Sequence, residues 1–177
     1  YHERYKNILS EMNEDIKLKV RKDLKLTENK IIVFAPYTLT NYGDGDEDKI
    51  LNGIQMIQQA ILAIANSDYT ESISYLNVVI KLHPASKDLP YWKKWMKDNL
   101  LNFTLIQKYD SYALAYASHL MVVQSSTYAI DGIVFNKNVI ILDTGFTTCI
   151  EEYHSHQNIE LVNSLHKLMN RITFFGR

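Results

Sequence analysis

Five short, mainly apolar stretches punctuate the chain: "KIIVFAPY", "NVVIKLHP", "NFTLIQ", "HLMVVQ" and "NVIILD". Each is continuous rather than alternating, rich in β-branched residues and bounded by polar or turn-forming residues. That pattern suits strands covered on both faces, as in a parallel sheet. Between them the apolar positions recur at three- and four-residue spacing. Ile50, Ile54, Ile57, Ile61 and Ile64 form one helical stripe. Trp92, Trp95 and Met96 form another after Pro90, with Ser86 or Asp88 as its cap. "SYALAYAS" and "SSTYAIDGIVFN" predict two further short helices. Tyr5, Ile8, Leu9, Met12 and Ile16 predict one N-terminal helix, followed by a charged connector. A closing helix is expected with Asn158 as its cap and Leu161, Leu165, Leu168 and Ile172 facing inward.

Strands alternating with helices imply right-handed βαβ units. The expectation is therefore an α/β, Rossmann-like fold: a parallel sheet of about five strands in the order 3-2-1-4-5, with helices on both faces. Residues 1–29 would be an N-terminal helix and connector, and residues 30–177 the Rossmann-like nucleotide-binding domain. A chain of 177 residues is long enough for one domain with a sizeable core. Its 46% hydrophobic and 22% charged residues are those of a globular protein. A net charge of −1 gives no basic excess for nucleic acid.

In open parallel sheets, ligands bind beyond the carboxyl ends of the strands. "NVVIKLHPAS" puts His83 at one such end, with Pro84 stopping the strand. "LMVVQSSTYAIDG" puts Ser125 and Ser126 at another, where a helix begins. Backbone N–H groups and hydroxyls at a helix start favour phosphate, and a histidine can donate to the same anion. Asp131, six residues after Ser125, is suited to accept both hydroxyls of a ribose. Taken singly, the serines also fit ordinary helix caps, His83 a loop histidine and Asp131 a solvated helix residue. Their joint placement on one sheet edge favours a site.

Other chemistry is thin. Asp44, Asp46 and Asp48 lack the rest of a calcium loop. His154 and His156 lack a third ligand, and His119 and His166 read as structural. Cys149 is the single cysteine and has no motif around it. No Walker loop, nucleophile elbow or G-x-G-x-x-G fingerprint is present.

"RKDLKLTENKIIVFAPY", "VVIKLHP" and "YDSYALAYASHLMVVQSSTYAIDGIVFNKNVIILD" resemble, in order, the C-terminal domain of CDP-glycerol glycerophosphotransferases and related surface-polysaccharide transferases of the GT-B type. UDP-N-acetylglucosamine 2-epimerases are similar in layout. The glycerophosphotransferase pattern has Asp-Tyr ahead of the serine pair, where this chain has Val123 and Gln124.

The resemblance implies one half of a GT-B-type enzyme that binds a nucleotide-diphosphate-activated donor. His83 would be the catalytic contact to the leaving diphosphate. Ser125, Ser126, Thr127, Asp131 and Thr38 would bind the donor, with no metal ligand and no other cofactor. The partners implied are a nucleotide-activated sugar or alcohol and an N-terminal acceptor-binding domain that this chain, which opens on Tyr1, lacks. Alone, the domain is expected to be inactive. The expected location is cytoplasmic, with any peripheral association at the inner face of the membrane running through other parts of the protein. The alternatives are an epimerase-like domain and a non-catalytic flavodoxin-like binding module.

Overall fold

The structure, a computed structural model, describes residues 2–39, 46–66, 75–145 and 155–176. Among the described residues six strands run parallel in one sheet: β1 (Ile31–Ala35), β2 (Asn77–Lys81), β3 (Thr104–Ile106), β4 (Leu120–Val123), β5 (Asn138–Leu142) and β6 (Ile159–Val162). Their order is β3-β2-β1-β4-β5-β6. The five expected strands keep the expected order, and β6 extends the sheet past β5. Seven helices accompany them among the described residues: α1 (His2–Glu11), α2 (Glu14–Asp23), α3 (Glu47–Ala65), α4 (Leu89–Asp98), α5 (Ser111–Ala117), α6 (Tyr128–Val134) and α7 (Leu165–Gly176).

The continuous apolar runs are explained by what covers them. Alternate residues of a strand face opposite sides. Ile32, Phe34, Ile80, Val122 and Ile140 pack with the isoleucines of α3, Trp92 and Met96 of α4, and Leu168, Met169 and Ile172 of α7. Ile31, Val33, Val79, Met121, Val123, Val139 and Ile141 pack on the other side with Val20 of α2, α5 and Ala129 of α6. Neither face meets water, so neither set can be polar. The order of strands reverses between β1 and β4: β2 and β3 lie on one side of β1, β4 to β6 on the other. Loops leaving adjacent strands diverge at such a switch point and leave a crevice.

Three expectations need correction. The N-terminal segment is two helices, because the Asn13 side chain accepts from the Ile16 N–H at 3.2 Å and starts a new one. The helix so begun takes in the first part of the supposed charged connector, up to Asp23, and packs on α5, burying Val20. Asn158 caps no helix: residues 159–162 pair with β5, and Leu161 lies exposed on that strand. A four-residue stretch such as Ile-Glu-Leu-Val fits either period, and backbone pairing with an open sheet edge decides it. Finally, the helix after β4 starts at Tyr128 rather than at Ser125. Asp44, Cys149 and His154 lie outside the described residues. Among the described residues, no helix is long and apolar enough to cross a membrane.

Candidate functional site

The chain leaves β2 through Leu82 and turns at once. The Ser86 N–H donates to the His83 carbonyl at 2.9 Å, closing a turn with Pro84 at its second position, where a fixed φ is favourable. The Ala85 N–H donates to His83 Nδ1 at 3.1 Å. Accepting there leaves the ring proton on Nε2, the atom turned away from the backbone, as a donor. Gln107, just past β3, braces the turn: its amide donates to the carbonyls of His83, Pro84 and Ser86. His83, Pro84 and Ala85 are exposed, with Ser86 buried beneath them and Gln107 half-buried.

The segment after β4 is anchored by Gln124, which is fully buried. Its amide donates to the Ile50 carbonyl at 2.7 Å, and its side-chain oxygen accepts the Tyr37 N–H at 3.2 Å. Gln124 thus ties β4 to α3 and to the exit of β1. Ser125 follows with φ +51°, in the left-handed region, and is buried. A non-glycine residue there is uncommon and is held by its surroundings. The turn it makes presents Ser126 and Thr127 to the crevice. Ser126 Oγ accepts the Tyr128 N–H at 3.2 Å and keeps its own proton to donate. The Ser126 and Thr127 N–H groups donate to no other described residue. The helix behind them has seven residues, so the site rests on these discrete donors rather than on a long helix dipole.

These segments border one cavity of about 450 Å³ at the carboxyl ends of β1, β2 and β4. It brings together His83, Ser126, Thr127 and Asp131. It does not include Ser125, whose side chain is buried beneath, or Thr38. Thr38 is buried near the β1 exit, where the Leu39 N–H donates to Asp88 Oδ2 at 2.7 Å. Asp88 also accepts the Ser86 hydroxyl at 2.7 Å, so the loops after β1 and β2 are tied together.

Several cavity residues carry no local sequence signal of a site. Tyr5 of α1 donates its phenol to Asp131 Oδ1 at 2.8 Å and meets the Tyr112 ring edge-on, centroids 6.1 Å apart. Tyr128 donates to the Ser111 carbonyl at 3.2 Å. Burial, with Asp131 and Asp110 adding to it, holds its phenol well above the usual value, so it enters the site neutral. Lys81, the last residue of β2, lines the cavity although it is almost wholly buried. The only local signal for it is a charge at the end of an apolar run. Together these groups offer hydroxyl and N–H donors, an imidazole donor, a cation and a carboxylate: a set able to hold an anion joined to a diol. Among the described residues no cluster of His, Cys, Asp or Glu could hold a metal ion.

Elsewhere, His119 Nδ1 accepts the Ile31 N–H at 3.1 Å. Burial, reinforced by Lys137 and Arg21, lowers its pKa to about 4, so it is a neutral structural acceptor. A second cavity, of about 460 Å³, lies at the opposite edge, between the starts of β4, β5 and β6 and the end of α7.

No family model matches the chain, and no curated protein matches it. Solved structures do. WaaG, described as a glycosyltransferase involved in lipopolysaccharide biosynthesis, matches 94% of this chain over 43% of its own length, at 12% identity and TM-score 0.62. The C-terminal CMP-Kdo binding domain of WaaA from Acinetobacter baumannii matches 90% of this chain over 86% of its own, at 10% identity and TM-score 0.61. The UDP-GlcNAc 2-epimerase of Methanocaldococcus jannaschii, solved with UDP-GlcNAc and UDP, matches 96% of this chain over 43% of its own, at 14% identity and TM-score 0.58. The chain therefore shares the Rossmann-like α/β fold of these structures, a parallel sheet with helices on both faces. The chain spans less than half the length of WaaG and of the epimerase.

Proposed function

We propose that this chain is the donor-binding half of a transferase that uses a nucleotide-activated sugar or alcohol to build a surface polysaccharide or teichoic-acid-like polymer. The observation that carries the reading is the convergence of His83, Ser126, Thr127 and Asp131 on one cavity at the switch point of the sheet. The glycosyltransferase neighbours and the CMP-Kdo binding domain among them support it, as does the resemblance to CDP-glycerol glycerophosphotransferases, which favours CDP-glycerol among the donors.

In this reading Asp131 accepts the ribose hydroxyls, its position on α6 fixing the nucleoside end. The hydroxyls and N–H groups of Ser126 and Thr127 donate to the phosphoryl oxygens. His83 donates from Nε2 across the cavity to the phosphoryl group that departs with the nucleotide. Such a donor acts where negative charge grows during transfer, so it contributes more in the transition state than in the ground state. Ser125 and Thr38 act from behind: Ser125 sets the turn, and Thr38 packs under the β1 exit. Transfer itself takes place against an acceptor held by a second domain.

The test is calorimetric titration of CDP, UDP, GDP and CMP into the chain, followed by Asp131→Ala. The preferred nucleotide should bind, and Asp131→Ala should weaken it by roughly 1–3 kcal/mol, the scale of a hydrogen bond to a charged group. In the intact enzyme, His83→Ala should chiefly lower kcat, by about 10²–10³-fold. Failure of all four nucleotides to bind, or binding indifferent to Asp131, would end the proposal.

A further inference from the structure

Lys81 is 5% exposed. It follows Val79 by two residues, so its stem lies on the face of the sheet covered by α5 and α6, the face on which the cavity opens. Its ammonium donates to the Leu82 carbonyl at 3.0 Å and reaches the Gln107 carbonyl at 3.4 Å. No described carboxylate forms an ion pair with it. The two carboxylates of the same cavity are engaged elsewhere. Asp110 caps α5, its Oδ1 accepting the N–H groups of Tyr112 and Ala113 at 2.9 and 3.1 Å. Asp131 accepts from Tyr5.

A buried ammonium bonded only to carbonyls is a poor structural element. The charge is stripped of water with no counter-charge, and burial correspondingly lowers its pKa. A methionine would fill the same space at less cost in folding free energy. What a methionine lacks is a donor with a full positive charge at the cavity wall, two residues from His83. The uncompensated charge calls for an anion.

We infer that Lys81 is the residue that selects a phosphorylated ligand, its ammonium pairing with a phosphoryl oxygen on the His83 side of the cavity. This inference rests on the nucleotide reading of the same site and deepens it: the carboxylate end fixes the nucleoside, and the lysine end demands the phosphate. Lys81 then discriminates nucleotide from nucleoside, a distinction Asp131 cannot make.

The experiment compares wild type, Lys81→Met and Lys81→Arg by calorimetry with cytidine, CDP and inorganic pyrophosphate, the uridine and guanosine pairs being run alongside. Wild type should prefer the nucleoside diphosphate to its nucleoside. Lys81→Met should bind the nucleoside as wild type does and lose about 10–100-fold in diphosphate affinity, the scale of a charge-assisted hydrogen bond. Lys81→Arg should recover part of that loss. Lys81→Met should also melt no lower than wild type, which separates a ligand role from a structural one. A diphosphate-to-nucleoside preference unchanged in Lys81→Met overturns the inference and leaves the nucleotide reading standing. Lysine-dependent binding of pyrophosphate with no binding of any nucleotide supports the lysine's role and removes the nucleotide reading. A Lys81→Met variant that melts well below wild type, with nucleoside and diphosphate binding lost together, overturns the inference by making Lys81 structural.

Discussion

Replacing Gly53 by alanine should destabilise this protein, although alanine is the better helix former. Gly53 lies within α3, facing Gln124. A Cβ at that position would lie 2.3 Å from Gln124 Nε2 and 2.4 Å from its Cδ. Gln124 has no room to step aside: it is fully buried and bonded to the Ile50 carbonyl and the Tyr37 N–H. Against a helix-propensity gain of about 1 kcal/mol stand two costs. Overpacking a close-packed site costs about 1–3 kcal/mol. Breaking the Gln124 bonds orphans buried polar groups at about 1–3 kcal/mol each. The net expectation is a loss of roughly 2–4 kcal/mol, read from urea denaturation followed by the fluorescence of Trp92 and Trp95. Because Gln124 immediately precedes Ser125 and Ser126, nucleotide affinity should fall with it. The control is a double-mutant cycle with Gln124→Ala, which vacates the space the new methyl needs. The two changes should offset each other by about 0.5–3 kcal/mol. A Gly53→Ala variant as stable as wild type, or a cycle with no coupling, would refute the argument.

Three other outcomes are expected. His119 is favoured neutral in the fold, with its pKa lowered to about 4 from 6.5. The unfolded chain therefore binds the extra proton between those values, and stability should rise with pH across that window and level off above it. Since the ring is half-buried, solvent screening reduces the expected effect to about 1–2 kcal/mol, and His119→Asn should flatten that part of the urea midpoint-against-pH curve. Tyr5→Phe removes a competitor for Asp131 Oδ1 and should raise nucleotide affinity by about 2–10-fold in the same titration, the scale of one neutral hydrogen bond; a fall would make Tyr5 part of the binding wall instead. Nucleotide binding should be unchanged by EDTA, since the proposed phosphate contacts are all protein donors; loss of binding in EDTA would contradict that.

The fold was legible because strands between two helical layers must be apolar on both sides. "IIVFA" and "NVIIL" carry that requirement in five residues each. The right-handed crossover that βαβ units favour then leaves few strand orders, and the expected one is present. β6 was not legible: a four-residue edge strand is half-exposed, and only its register with β5 separates it from a helical start. At the site, strand ends can be counted along the chain, so His83 and the Ser125–Ser126 pair could be placed on one rim from local pattern alone. Whether Ser125 or Ser126 faces the cavity depended on one positive φ, which the residue type does not encode. Gln124, Gln107 and Tyr5 act on partners 74, 21–24 and 126 residues away. No local period registers such pairs. Lys81 reads in sequence as a polar residue closing a strand; that its charge is buried without a carboxylate depends on everything packed around it. Periodicity reports which face of an element is apolar. Only the assembled layers determine which polar groups are left with a charge to satisfy.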